Sequence, residues 1–207
     1  MSMRFFLATG NRHKLEEVVA ILSAVRPDIR IEGAEAMGGM PTVDENGASF
    51  LDNARIKARA LEQRVPEGGS VLADDSGLCV DFLGGAPGVY SSRYSGLEAS
   101  DEANTRLLLD RLKDVPAEQR TAHFRCVIVL LEPGGEERVF DGRCHGRISV
   151  EPSGKGGFGY DPVFVPSGHE ISFAQLPVVE KNRISHRAIA LRKLAAWLAT
   201  SGKEAKD

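Results

Sequence analysis

Val71-Leu72-Ala73-Asp74-Asp75-Ser76-Gly77-Leu78 sets a short apolar run, two adjacent carboxylates, a hydroxyl and a glycine in succession. The apolar run reads as a buried strand, with Ser76-Gly77 as the turn that ends it. Acidic residues at the C-terminal end of a buried strand are well placed to hold a divalent cation. Asp, Ser and Gly are also common turn residues, so the stretch alone suits a plain acidic turn as well.

Working back from this stretch, residues 48–64 read as a long helix. Phe50, Leu51, Ala54, Ala58 and Leu61 mark its apolar face, and Arg55, Lys57, Arg59 and Arg64 mark other faces. The loop before it, residues 37–47, holds Asp44 and Glu45, which suit either a solvated pair or ligands reaching a metal. Residues 3–8 read as an opening strand and 29–31 as a second. Between them, Asn11 is a candidate N-cap for a helix whose apolar residues recur from Leu15 to Val25 and which Pro27 ends. Thr9, Gly10, Asn11, Arg12, His13 and Lys14 then form a strand-to-helix turn. A basic first turn opposes the helix dipole, and this mismatch favours anion binding over simple capping.

Working forward, residues 78–82 continue as strand. Residues 84–96 form a long loop with Tyr90, Arg93 and Tyr94, suited to a substrate lid or a subunit contact. Ser100 reads as an N-cap with Asp101 and Glu102 in the favourable first turn. Residues 121–131 are a strongly apolar strand. Pro133-Gly134-Gly135 turns it into a return strand over 137–150, a hairpin that makes the sheet mixed. Gly154, Gly156 and Gly159 match the dinucleotide spacing, but Pro162 disfavours the helix that reading needs, and Lys155 is followed by Gly156 rather than Ser or Thr. What remains is a glycine loop whose Phe158 could stack on a base or pack into a core. Residues 173–179 are ambiguous. Ser185 reads as the N-cap of a last helix, with His186 and Arg187 giving a second basic start. Two such starts and one acidic pair suggest an anionic substrate bridged by a metal.

Composition narrows the setting. Hydrophobic residues make up 42% and charged residues 27%, with a net charge of -3. That is an ordinary globular balance, with no bulk attraction to nucleic acid or anionic membrane. Cys79, Cys126 and Cys144 lack metal or redox spacing and read as reduced, with Cys79 and Cys126 as core fillers. No signal peptide or membrane span is evident, which favours the cytoplasm. Without a repeat or linker, residues 1–200 read as a single α/β domain and 201–207 as a frayed tail.

Together the motifs resemble the inosine triphosphate pyrophosphatase family. The resemblance rests on Thr9-Gly10-Asn11-x-x-Lys14, Ser49-Phe50-Leu51-Asp52-Asn53-Ala54 and Ala73-Asp74-Asp75-Ser76-Gly77-Leu78. It continues through residues 83–94, Gly156-Gly157-Phe158-Gly159-Tyr160-Asp161-Pro162-Val163-Phe164 and Ile184-Ser185-His186-Arg187. These occur in family order along nearly the whole chain. The resemblance implies an elongated mixed α/β fold, a long central sheet flanked by helices, two lobes around a nucleotide cleft, and usually a homodimer. It implies Mg²⁺-assisted hydrolysis of ITP, dITP and XTP to the monophosphate and pyrophosphate. Asp75 would be general base and metal ligand, supported by Asp74 and by Asp44 or Glu45. Residues 9–14 would hold the triphosphate, with Lys181 there or nearer the base. Ser76 would touch substrate, and Phe158, Gly159, Tyr160, Asp161, His186 and Arg187 would hold the base. The chain departs from the commonest family pattern at Ser49, Asp52, Asp44-Glu45 and, in chemical type, at His13. A nucleotide- or RNA-binding module without catalysis is the competing reading, against which the acidic pair argues.

Overall fold

The computed structural model describes residues 3–204. A single sheet orders its strands β2-β1-β3-β4-β5-β6. These are β1 (Met3–Leu7), β2 (Ile29–Gly33), β3 (Ser70–Val80), β4 (Thr121–Leu131), β5 (Glu137–Ile148) and β6 (Phe164–Pro166). β1 pairs in parallel with β2, Met3 opposite Ile29, and with β3, Phe5 opposite Ser70. β5 and β6 are antiparallel, so the sheet is mixed, as expected. β4 and β5 are the expected hairpin. They are neighbours joined by a short turn in which Gly135 N donates to Glu132 O at 2.9 Å, and only an antiparallel pair can be joined so tightly.

The helices are α1 (Arg12–Val25), α2 (Phe50–Glu62), α3 (Asp101–Arg111), α4 (Val178–Ile184) and α5 (His186–Glu204). Two predicted caps, Asn11 and Ser100, are in place, and Ser49, read from sequence as lying within the 48–64 helix, caps α2. Asn11, Ser49 and Ser100 each accept from a backbone N–H in their helix's first turn, respectively that of Lys14, Asp52 and Ala103. Each satisfies a donor that the helix start leaves without an intrahelical partner. The unassigned stretch after residue 173 leads into α4, which ends at the extended Ser185 before α5 begins. The helix α5 continues into the expected tail as far as Glu204, and residues 205–207 lie outside the described residues.

The described residues pack as two compact units. The first comprises residues 3–75, 126–142 and 187–204, the second residues 76–125 and 143–186. The chain crosses from one to the other inside β3, β4 and β5 and at Ser185–Arg187, where no loop composition changes.

The first unit has three layers. Phe5, Leu7, Leu72, Ile128 and Leu130 face α1 and α5, which bring Val18, Leu22, Leu191 and Leu194. Phe6, Ala8, Val71, Ala73 and Val129 face the opposite way, onto Ala54, Ala58 and Leu61 of α2. This is the two-residue alternation of a strand covered on both sides. In the second unit, Leu78, Val80, Phe124, Cys144 and Phe164 pack under α3 through Leu108 and Leu112. Cys126 and Cys144 are buried and Cys79 only partly so, which reverses the expectation for the last two. The predicted 84–96 loop is largely structured, with a 3-10 helix over Gly88–Arg93 and Tyr94 packed against the second core.

One expectation at the opening stretch fails. Ser76-Gly77 is not a turn, because β3 runs unbroken from Ser70 to Val80. The extended backbone continues through the acidic pair, so its side chains must alternate.

Candidate active site

Because β3 stays extended, Asp74 and Asp75 point to opposite faces of the sheet. Each meets its own set of cations. Asp75 lies on the α2 face. Lys57 Nζ is 2.8 Å from Asp75 Oδ1 and 2.8 Å from Glu45 Oε2, so one ammonium bridges two carboxylates. Asn53 Nδ2 donates to the other Asp75 oxygen at 3.3 Å. Asn53 and Lys57 are four residues apart on α2, hence on one helix face. Both are buried in a row otherwise made of Phe50, Ala54, Ala58 and Leu61. Burial raises the Asp75 pKa above the usual carboxylate range, and the nearby Lys57 and Lys14 do not fully reverse it. Lys57 behaves oppositely. Burial would lower its pKa, but Asp75, Asp74 and Glu45 outweigh that and hold it above the ordinary value.

Asp74 lies on the face covered by α1 and α5. Its Oδ2 meets Lys14 Nζ at 3.1 Å and Arg187 Nη2 at 3.1 Å. Arg187 Nη1 also pairs with Glu17, one turn along α1 from Lys14. Arg187 is almost wholly buried. Burial alone would raise the Asp74 pKa, but Lys14, Arg187 and Lys57 outweigh it and hold the carboxyl well below its usual range. Asp74 therefore stays ionised and fixes Lys14 at the start of α1. Beside it the first turn of that helix points backbone N–H groups outward, as helix starts do.

The second unit carries another cluster. Asp161 Oδ2 accepts from Phe158 N at 2.9 Å and from Lys181 Nζ at 2.6 Å. Lys181, on α4, lies 5.0 Å from the Phe158 ring centroid, a cation–π distance. The loop closes tightly around this carboxylate. A Cβ on Gly157 would sit 1.9 Å from Asp161 Oδ2, so only glycine fits. The His186 ring stacks on Phe124 of β4, centroids 4.7 Å apart and planes 12° from parallel. Tyr160 is buried and donates its hydroxyl to Ser91 O at 2.9 Å.

Comparison with known proteins places this arrangement. The model of the Ham1 family matches residues 5–197. The chain belongs to the Ham1 family. A relative named dITP/XTP pyrophosphatase from Opitutus terrae is 53% identical over 199 residues, covering 94% of this chain and 98% of its own. The dITP/XTP pyrophosphatase of Geobacter sulfurreducens is 47% identical, covering 97% and 99%. Among solved structures, a HAM1 protein from Coxiella burnetii superposes with a TM-score of 0.84 at 38% identity, covering 96% of this chain and 99% of that one.

Against that Ham1 background, the site residues expected from sequence fall into distinct sets. Asp75 and Glu45 are brought together, whereas Asp44 is exposed on the same loop. Asp74 was expected to share a metal with Asp75, but strand alternation turns it to Lys14 and Arg187 instead. Of the basic turn, Lys14 reaches Asp74. Arg12 pairs with Glu16 on the outer side of α1, and His13 is exposed. Thr9 Oγ1 accepts from Asn11 N at 3.1 Å and shapes the turn. Ser76 is half-buried within β3. Arg187, expected among the base-binding residues, holds Asp74 and Glu17. Tyr160, expected there too, braces the Gly88–Arg93 segment. Lys181, expected at the triphosphate or nearer the base, pairs with Asp161 and lies over the Phe158 ring.

Sequence reasoning did not select Asn53, Lys57 or Glu17 as site residues. A signal for the first two was present: Asn and Lys at i and i+4 interrupting an apolar helix stripe are buried polar groups that need partners.

Proposed function

We propose that this chain hydrolyses ITP, dITP and XTP to the nucleoside monophosphate and pyrophosphate, and so clears deaminated purines from the nucleotide pool. The observation that carries the reading is the buried Asp75–Lys57–Glu45 cluster in a Ham1 chain. Asp75 is the general base: burial raises its proton affinity, which makes it a better acceptor than an exposed carboxylate. Water attacks the α-phosphorus, its proton passes to Asp75, the α–β bridging P–O bond breaks and pyrophosphate leaves. Lys57 and Asn53 fix the Asp75 oxygens in place. Lys14, held by Asp74, and the start of α1 supply positive charge for the triphosphate.

Mg²⁺ fits the donor set at Asp75 and Glu45. Such an ion is commonly bound through one or two carboxylates plus substrate oxygens. When bound, Mg²⁺ neutralises phosphate charge and acidifies a bound water. In the second unit, Phe158 stacks on the purine, with Lys181 and Asp161 setting its loop. A 6-keto oxygen distinguishes the substrates from adenine nucleotides, whose 6-amino group would leave donors in the pocket unpaired.

The family resemblance supports a cytoplasmic homodimer, and light scattering on purified protein measures the assembly. Among the described residues no helix is long and apolar enough to cross a membrane. With Mg²⁺ and ITP the products should be IMP and pyrophosphate. Orthophosphate as the sole phosphate product would refute the assignment.

A further inference from the structure

We propose that Asp101, in the first turn of α3, is a positioning residue for base recognition. It holds the backbone of Gly159 and thereby fixes the ring of Phe158. The inference rests on the reading above, in which Phe158 stacks on the purine.

Gly159 N donates to Asp101 Oδ2 at 2.6 Å. Gly159 O faces Thr105 Oγ1 at 3.5 Å, the outer limit of a hydrogen bond. Residues 101 and 105 are one turn apart on the same face of α3, so one helix face grips both polar groups of a single glycine. The Asp101 carboxylate is not needed as the helix cap, because Ser100 Oγ already accepts from Ala103 N at 3.1 Å. Instead it reaches across to the loop.

The helix that bears it is firmly held. Leu108 and Leu112 are fully buried, and Asn104 bonds to Ser92 O and to Ser95. The loop itself lacks such packing on this side. Between it and α3 lies a cavity of about 530 Å³, lined by Arg106, Leu109, Pro152 and Lys155 among others. Close packing therefore cannot fix the height of the loop here, and the polar clasp does. Phe158 is then gripped through both flanking peptides, with its own N–H on Asp161 and the next on Asp101. At Gly159 φ is +62°, a conformation that glycine adopts freely and that other residues disfavour.

Asp101→Ala should raise KM for ITP by roughly tenfold, the scale of one lost charge-assisted hydrogen bond, with kcat within about twofold. Inhibition by IMP should weaken by a similar factor, while inhibition by inorganic tripolyphosphate, which has no base, should not change. Asp101→Asn keeps an acceptor oxygen and should restore most of the affinity. Glu102→Ala, which removes the adjacent negative charge, should match the wild type.

Without nucleotide, amide exchange across residues 156–161 should accelerate in Asp101→Ala and not in Glu102→Ala. Unchanged exchange overturns the clasp, and so does a loss of tripolyphosphate inhibition equal to the loss for IMP. A fall in kcat with KM unchanged overturns the positioning role. If the wild type releases no pyrophosphate from ITP, the functional reading fails, and exchange alone still decides whether Asp101 holds the loop.

Discussion

Replacing Lys57 with methionine tests whether the acidic cluster is built as described. The change keeps most of the side chain's length and removes its charge and its hydrogen-bond donors. Lys57 Nζ lies 2.8 Å from a carboxylate oxygen of each of two partners. At an effective dielectric near 20, unit charges at that separation attract by about 6 kcal/mol before desolvation is counted. Desolvation offsets several kcal/mol of this, because the Lys57 and Asp75 side chains are only 9% and 10% exposed. The Glu45 side chain is 35% exposed, and solvent screens its share. Removing one member of a buried pair strands the other charge, so Lys57→Met should destabilise the protein by about 3–5 kcal/mol. Asp75→Asn leaves Lys57 with Glu45 and should be milder, about 1–2 kcal/mol. The double variant should then fall short of the sum by about 2 kcal/mol. Guanidinium unfolding of the four proteins, followed by circular dichroism, gives this coupling. A value below about 0.5 kcal/mol would mean that Lys57 does not bridge the carboxylates.

Other perturbations probe the remaining contacts. Asp75→Asn should lower kcat for ITP by at least about a hundredfold, as loss of a general base does, which a pyrophosphate-release assay measures. Arg187→Met should destabilise the fold by about 3–5 kcal/mol, read from denaturant midpoints, because it leaves Asp74 and Glu17 facing without their shared cation. Tyr160→Phe should lower stability by about 1–2 kcal/mol through the lost bond to Ser91 O. Gly157→Ala should weaken IMP binding in calorimetry with little change in tripolyphosphate binding, since its Cβ would collide with Asp161.

Much of the scaffold was legible because local chemistry set it. Asn11 and Ser100 cap the helices they were expected to cap, since a short oxygen-bearing side chain satisfies the first-turn donors whatever surrounds it. The 121–131 strand and its return were visible in their apolar run and glycine turn. The strand through Ser76-Gly77 was misread because turn propensity is local, whereas ladder pairing comes from distant neighbours. The short α4 and β6 were missed because each is held by tertiary contacts rather than by a long periodic pattern. In the site, the acidic pair stood out in the sequence. That Asp74 and Asp75 meet different sets of cations did not, for it follows from the strand staying extended. Nor did the basic first turn reveal that Lys14 would reach Asp74, because that depends on where α1 rests on the sheet.

The unbroken course of β3 makes the site sensitive to counting. Inserting one residue between Ala73 and Asp74 would exchange the two faces for everything beyond it. Asp74 would take the place of Asp75 beside Lys57 and Asn53, and Asp75 would turn to the face of Lys14 and Arg187, about 7 Å beyond the position Asp74 held, with the composition almost unchanged. Inserting two residues would keep each acid on its own side and shift it along the strand by about 7 Å. The enzyme's dependence on this strand is thus one of parity as well as sequence: an even change displaces the acids along their own faces, and an odd one exchanges the faces.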